Sequence, residues 1–426
     1  MRLSVLLREG RTFASLRRYR NFRLYTIGQA VSTAGSWAQA AALSWLVLGI
    51  THSALALGVL GVWTFGPYVV LGLFGGVVSD RFDRRRILLV TQSAFLALAV
   101  ALAIATWNDA APLWMIYAFS ALDGLIQVVD GPAELAFVPQ MVGTADLANA
   151  IGLNSAVFNA TRIVGPAVAG VLIALGGVRL AFALNAVSYL MMLAALLLMR
   201  PAELRSATVA LERRASPVRD LVEGFQYAWR TSAVRAPLVM MVVMATLTFN
   251  FTLWLTVLAG QTLRAGPQVY GIITASFAAG AMIGALAVAT RGRATWQALL
   301  ASLGGLAIGL ALLAPLRALP LIMLALVFAG AMRTFYMAIS AALVQLATPS
   351  HLQGRIMGFF NYALTATATL TSPLVGWLTQ VGGTTLAIAL AAGVNALLWG
   401  GGLTWYLRRG RLSTAHLEET GERVML

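Results

Sequence analysis

Apolar residues fill this chain in long blocks, and polar residues collect in short stretches between them. A bilayer core about 30 Å thick is crossed by roughly 20 helical residues rising about 1.5 Å each. About twelve blocks reach that length, at residues 22–49, 54–78, 87–107, 112–138, 148–175, 180–199, 236–261, 269–290, 296–315, 319–346, 353–381 and 384–407. The pattern predicts an all-α membrane protein of twelve transmembrane helices.

Composition supports that reading. Hydrophobic residues make up 59% of the chain and charged residues 11%, with a mean hydropathy of +0.81, whereas soluble domains carry about 25% charged residues. There is no cysteine, which excludes disulfides, thiolate nucleophiles and iron–sulfur ligation. A net charge of +15 would suit nucleic acid if it formed one basic face, but all 30 basic residues are arginines clustered beside apolar blocks. No nucleic-acid partner is expected. With the amino terminus in the cytoplasm, 25 arginines fall on that side, Arg179, Arg264 and Arg317 on the other, and Arg162 and Arg333 within spans. The positive-inside rule then predicts a multi-pass protein of a cell membrane, bacterial inner or plasma membrane, with both termini cytoplasmic. The first block is too long for a cleavable leader and lacks a small-residue cleavage site, so it is expected to remain as the first helix.

Residues 201–235 form the one long polar stretch and divide the spans six and six. They predict an amino-terminal six-helix bundle over 1–200, a cytoplasmic linker over 201–235, a carboxy-terminal bundle over 236–407 and a tail over 408–426. Apolar residues at helical spacing from Val218 to Trp229 predict a short helix on the cytoplasmic face of the linker. The halves also resemble each other. Asp146-Leu147 through Ile151 matches His351-Leu352 through Ile356, and Pro166 to Gly176-Gly177 matches Pro373 to Gly382-Gly383. Repeats with an even number of spans run parallel about an axis along the membrane normal, so two pseudo-symmetric bundles around a central cavity are expected.

The most specific motif follows the second block: Gly76-Val77-Val78-Ser79-Asp80-Arg81-Phe82-Asp83-Arg84-Arg85. A bare topology anchor would also be basic. The spacing, however, resembles the signature G-x-x-x-D-R-x-x-R-R of the major facilitator superfamily, between its helices 2 and 3. Gly75 and Gly76 would let helix 2 approach a neighbour, and Asp80 would cap a helix or accept from an arginine. We read Gly76, Asp80, Arg81, Arg84 and Arg85 as a cytoplasmic gate. Arg355, beside the start of helix 11, is the candidate partner of Asp80 in an outward-open state. The corresponding loop after helix 8, Arg291-Gly292-Arg293, lacks the acid.

Arg162 through Gly170 is similar to the proline motif in helix 5 of superfamily exporters, with Gly165, Pro166 and Gly170 as its small and helix-breaking positions. Such a pair removes one backbone hydrogen bond and permits a bend and close packing; packing without a transport role accounts for the same residues equally well. Asp130-Gly131-Pro132-Ala133, Ala136 to Pro139, Leu153-Asn154-Ser155 and Phe158-Asn159 resemble the branch of enterobactin-exporter-like and macrolide-efflux proteins among drug:proton antiporters. That resemblance implies efflux by alternating access. Two residues depart from it: Glu134 stands where relatives carry arginine, and Gln140 where an acid is common.

Asp123, Asp130 and Glu134 lie on helix 4 at separations that place them within about 20° of one line. Each acid costs about 2.5–3.5 kcal/mol at the centre of a span, so lipid exposure is disfavoured. Asp123 and Arg162 lie at equal expected depths, which makes them a candidate pair, and Arg333 is the charge in the spans of the second half. A carboxylate whose arginine contact changes during a cycle can bind and release a proton, while a static ion-pair network would use the same residues. His52, His351 and His416 all fall outside the spans, leaving the carboxyls as titrating groups. Proton coupling is therefore assigned to Asp123, Asp130, Glu134, Arg162 and Arg333.

Polar stripes mark a candidate substrate cavity: Gln29, Ser32, Ser36 and Gln39 on helix 1, and Asn361 and Thr365 on helix 11. Interhelical hydrogen bonds of about 0.6 kcal/mol each would explain them too. The sequence thus predicts a monomeric, proton-coupled secondary exporter of a small amphiphilic drug-like compound or a secreted metabolite such as a siderophore. A lipid flippase or uptake symporter of the same fold is the alternative. A membrane enzyme would need a catalytic His, Asp or Cys cluster that is not evident. No phosphate-binding loop, cofactor or metal site is present in the sequence pattern.

Overall fold

The computed structural model describes residues 13–108, 111–143, 146–205, 217–291, 293–349 and 352–420. Helices account for nearly all of them. After a short turn of helix at Ala14–Arg18 come α1 Arg20–Thr51, α2 Ala54–Arg81, α3 Arg84–Trp107, α4 Leu113–Met141, α5 Leu147–Gly176 and α6 Val178–Leu197. The linker carries a helix at Pro217–Arg230. Then follow α7 Ser232–Thr262, α8 Pro267–Arg291, α9 Trp296–Leu313 and α10 Leu319–Leu346.

Ten helical stretches among the described residues are long and apolar enough to cross a membrane. One of these begins at Gln353 and turns at Gly383, whose φ of 71° lies in the left-handed region, a conformation open to glycine at little cost. It is therefore two helices, α11 over 353–382 and α12 over 384–420. The remaining span is α1, whose polar stripe lowers its hydropathy while its length still crosses the core. The break falls at the Gly382-Gly383 pair that marks the repeat. Helix α7 is itself interrupted at Phe249-Asn250, between Ser232–Thr248 and Phe251–Val257.

The chain forms two compact units. The first holds Met1–Asp220 together with Asn250–Ala275 and Thr369–Val381; the second holds Leu221–Phe249, Ser276–Ala368 and Gly382–Leu426.

Within each unit one helix pair is drawn together by glycine. In the first, a Cβ on Gly75 of α2 would collide with the carbonyl oxygen of Val128 on α4, and a Cβ on Gly124 of α4 would collide with that of Thr64 on α2. Pro132 lies four residues after Val128 and supplies no N–H to it, so this carbonyl is left to face Gly75. The second unit repeats the device between α8 and α10, where Gly280 meets the Val327 carbonyl and Gly330 that of Phe277. Lipid tails are as apolar as leucine, so helices associate here through close van der Waals contact, which small residues permit.

The first unit also has a collar at the end of α1 and α2 remote from the amino terminus. A Cβ on Gly58 would stand 2.9 Å from Pro373 Cα, and one on Gly376 would stand 2.6 Å from the Ala54 carbonyl oxygen. The Ala54 N–H donates to Gln380 Oε1 at 2.6 Å, and Gln261 Nε2 donates to the His52 carbonyl at 2.8 Å. Trp45 and Tyr270 pack with ring centroids 5.7 Å apart. Short segments of α7, α8 and α11 are thereby joined to α1, α2 and α5.

Gly75→Ala is expected to lower stability by about 1–3 kcal/mol through overpacking against Val128, read as a fall in melting temperature in detergent. Gly76→Ala serves as the matched control, because a Cβ there meets nothing within 4 Å, and its melting temperature should equal or exceed that of the parent, since alanine is the better helix former.

Candidate functional site

Helix α4 carries the three acids along one side, with Pro132 between Asp130 and Glu134. Asp130 is 3% exposed. Its Oδ1 accepts from the Thr91 hydroxyl and from Gln92 Nε2 at 3.3 Å, and its Oδ2 stands 3.4 Å from the same amide. Gln92 Oε1 in turn accepts from Ser32 Oγ at 3.5 Å. One turn along α4, Glu134 Oε2 accepts from Gln29 Nε2 at 3.2 Å. The fully buried Tyr25 packs edge-on to Phe137, with centroids 5.7 Å apart. Its hydroxyl has no hydrogen-bond partner among the described residues and lies within electrostatic reach of Glu134 and Asp130. Two carboxyls are thus held by neutral donors from α1 and α3, and no arginine forms an ion pair with either among the described residues.

Arg162 on α5 sits over the Trp37 ring, 5.4 Å from its centroid, and no ion pair joins it to the half-buried Asp123 among the described residues. Arg333, buried on α10, lies in the second unit over Phe249 at 5.1 Å and Phe277 at 5.9 Å. An aromatic face attracts a guanidinium and can stand in part for a counter-ion in a span.

The α1 stripe is engaged between helices. Besides Gln29 and Ser32, Ser36 Oγ lies 3.0 Å from Tyr189 Oη on α6, and Gln39 Oε1 accepts from Asn185 Nδ2 at 2.8 Å. Asn185 Oδ1 accepts from Ser188 at 2.9 Å. On α11, Asn361 is exposed and donates to its own helix at the Met357 carbonyl, while Thr365 is half-buried.

In the gate motif, the side chain of Asp80 lies outside the described residues. Gly75, rather than Gly76, makes the close approach to a neighbouring helix, because a Cβ on Gly76 faces open space. Asp83 caps the start of α3 by accepting from the Arg86 N–H at 2.8 Å, and Arg85 Nε donates to the Leu196 carbonyl at the end of α6 at 3.0 Å. Arg81 is exposed and Arg84 half-buried. Arg355 forms an ion pair with Glu223 of the linker helix.

The glycines of the α5 motif are both close-approach points. Gly165 packs on α1, where a Cβ added to it would stand 2.7 Å from the Ala34 carbonyl oxygen, and a Cβ added to Gly170 would stand 2.9 Å from Gly271 Cα. Pro166 supplies no N–H to the Arg162 carbonyl four residues before it.

Thr91, Gln92, Tyr25, Asn185 and Tyr189 were not singled out by the sequence pattern. Adjacent polar residues inside an apolar block, as at Thr91-Gln92, were the available signal.

This architecture is that of an all-α membrane protein of the major facilitator fold. Solved structures of a D-xylose–proton symporter and of the nucleoside transporter NupG align with TM-scores of 0.72 each, at 14% and 12% identity, covering 89% and 91% of this chain and 96% and 99% of theirs. The model of the transmembrane secretion effector family matches residues 11–419, and the chain belongs to that family. It is 27% identical over 355 residues to the enterobactin exporter EntS of Escherichia coli, covering 82% of this chain and 83% of that one. It is 26% identical over 254 residues to the staphyloferrin A transporter of Staphylococcus aureus, covering 59% of this chain and 62% of the relative.

Removing the Thr91 hydroxyl as Thr91→Val should cost about 1.5–3 kcal/mol if Asp130 is charged in the resting protein. The cost should shrink in an Asp130→Asn background. Equal costs in both backgrounds, from thermal unfolding of the four proteins, would show that the hydroxyl does not serve this carboxyl.

Proposed function

We propose that this chain is a proton-coupled secondary exporter that carries a secreted small metabolite such as a siderophore, or an amphiphilic drug-like compound, out of a bacterial cytoplasm. It works as a monomer with both termini inside. The observation that carries the reading is the pair Asp130 and Glu134, set within the first unit and held by a hydroxyl and two amides without an arginine among the described residues. A proton is then the cation available to neutralise the pair, and Tyr25, whose ring packs on Phe137 of α4, is the hydroxyl assigned to relay it. Names of the relatives support a siderophore-like cargo.

Alternating access rocks the bundles over residues 1–200 and 236–407 about a midplane site. Asp123, Arg162 and Arg333 respond to that movement, and Asn361 and Thr365 line the path. Gly76, Asp80, Arg81, Arg84, Arg85 and Arg355 act as the inner gate. The collar joining Gly58, Gly61 and Gly170 to Ser372, Pro373 and Gly271 is the outer gate, which must part to release cargo.

In proteoliposomes with an imposed pH gradient and a panel of iron chelators and amphiphiles, Asp130→Asn and Glu134→Gln should each abolish gradient-driven accumulation. Unchanged accumulation in both single variants and in the double variant would exclude the coupling assignment. The outer gate has a separate test. A Cβ on Gly61 would stand 3.2 Å from Ser372 Cβ, close to the separation of about 3.5–4.5 Å in disulfides. Gly61→Cys with Ser372→Cys should stop transport under oxidant and recover it with reductant; full activity of the oxidised, cross-linked protein would show that the collar does not open.

A further inference from the structure

The linker helix Pro217–Arg230 presents three distinct arcs over residues 222–230. At about 100° per residue, Gly224 and Ala228 share one arc and are buried in the second unit. There a Cβ on Gly224 would lie 3.3 Å from the Arg355 carbonyl oxygen and 3.5 Å from Phe359 Cβ. Next round the helix come Val222, Phe225 and Trp229, which are 46%, 46% and 52% exposed. Phe225 and Trp229 stack at 5.6 Å, and Phe225 meets Phe359 edge-on at 5.7 Å. Beyond that arc lie Glu223, Gln226 and Arg230.

Two further contacts give the helix a level. Tyr227 Oη donates to the Ala347 carbonyl just past the end of α10 at 3.3 Å, and Glu223 pairs with Arg355 in the first turn of α11. The helix therefore lies across the ends of two spans, where hydrocarbon gives way to headgroups. Exposed Arg230 and Arg235 flank the end of the apolar arc, with Arg235 Nη1 donating to the Trp229 carbonyl at 3.2 Å. Arginine beside tryptophan at that depth complements lipid phosphates, and an apolar arc beside a polar one is the pattern of a helix lying in the interface plane.

We propose that Val222, Phe225 and Trp229 insert into the phosphate-bearing headgroup layer of the surrounding bilayer. The linker helix is then an interfacial strap, seated in lipid on one arc and tied to the first turn of α11 by Glu223 and Arg355. This surface is independent of the cargo and of proton coupling.

Because the chain contains no cysteine, one nitroxide label can be placed on the full protein without background changes. Val222→Cys and Trp229→Cys sample the apolar arc, and Gln226→Cys and Arg230→Cys the polar one, in vesicles of phosphatidylcholine and phosphatidylglycerol. Power saturation should show oxygen favoured over a water-soluble nickel chelate at 222 and 229 by several-fold, and the reverse at 226 and 230. Nickel access at all four positions would overturn the proposal. Spin–spin broadening at 222 that vanishes on dilution with unlabelled protein would overturn it too, by assigning this arc to a second copy of the chain.

Discussion

Hydrocarbon supplies no hydrogen bonds, so every polar group carried into a span must find its partner inside the protein. That constraint organises the first unit around α1. Four polar side chains placed along its inner side each engage a different neighbour: Gln29 reaches α4, Ser32 reaches α3, and Ser36 and Gln39 reach α6. A helix bonded in this way to three others can turn or shift only if its partners move with it. Asp130 and Glu134 are tied into the same lattice, so any change in their charge is felt by α1 and α3 directly.

Close packing supplies the second half of the argument. Polar bonds of this kind contribute modestly in a membrane, and the bundle's cohesion must come from contact. Gly75 with Gly124, and Gly280 with Gly330, bring paired helices to backbone contact at equivalent places in the two units. The internal repeat is thus visible as packing as well as sequence. It also explains why Gly75 rather than Gly76 is constrained: successive residues on a helix point about 100° apart, and one of them faces α4.

Much of the fold was legible in the sequence because hydropathy and length report spans directly. The blocks at 353–381 and 384–407 even located the turn that the structure makes at Gly383. The interruption of α7 at Phe249-Asn250 was not legible, since neither glycine nor proline marks it. In the site, helical periodicity aligned Asp123, Asp130 and Glu134 on one side of α4. It carried no information on which helix faces them, because Thr91 and Gln92 are 39 and 38 residues from Asp130 in the chain. Depth matching also suggested Asp123 with Arg162, yet equal depth on two helices fixes neither azimuth, and Arg162 turns to Trp37 instead.

The separation of arginine from carboxylate sharpens what Glu134 means. A bundle built only for rigidity would place Arg162 against the α4 acids, since an unpaired charge in a span is costly. Arg162 rests instead on the Trp37 ring, which attracts a cation without consuming an acid. Within the first unit Arg162 and the α4 acids are thus each stabilised by neutral groups, the arginine by an aromatic face and the carboxyls by hydroxyl and amide donors. Glu134 sets a second carboxyl one turn from Asp130 on this side of α4. The two carboxyls use separate donors, Gln29 of α1 for Glu134 and Gln92 of α3 for Asp130, and Ser32 of α1 ties these donors into one network by its bond to Gln92.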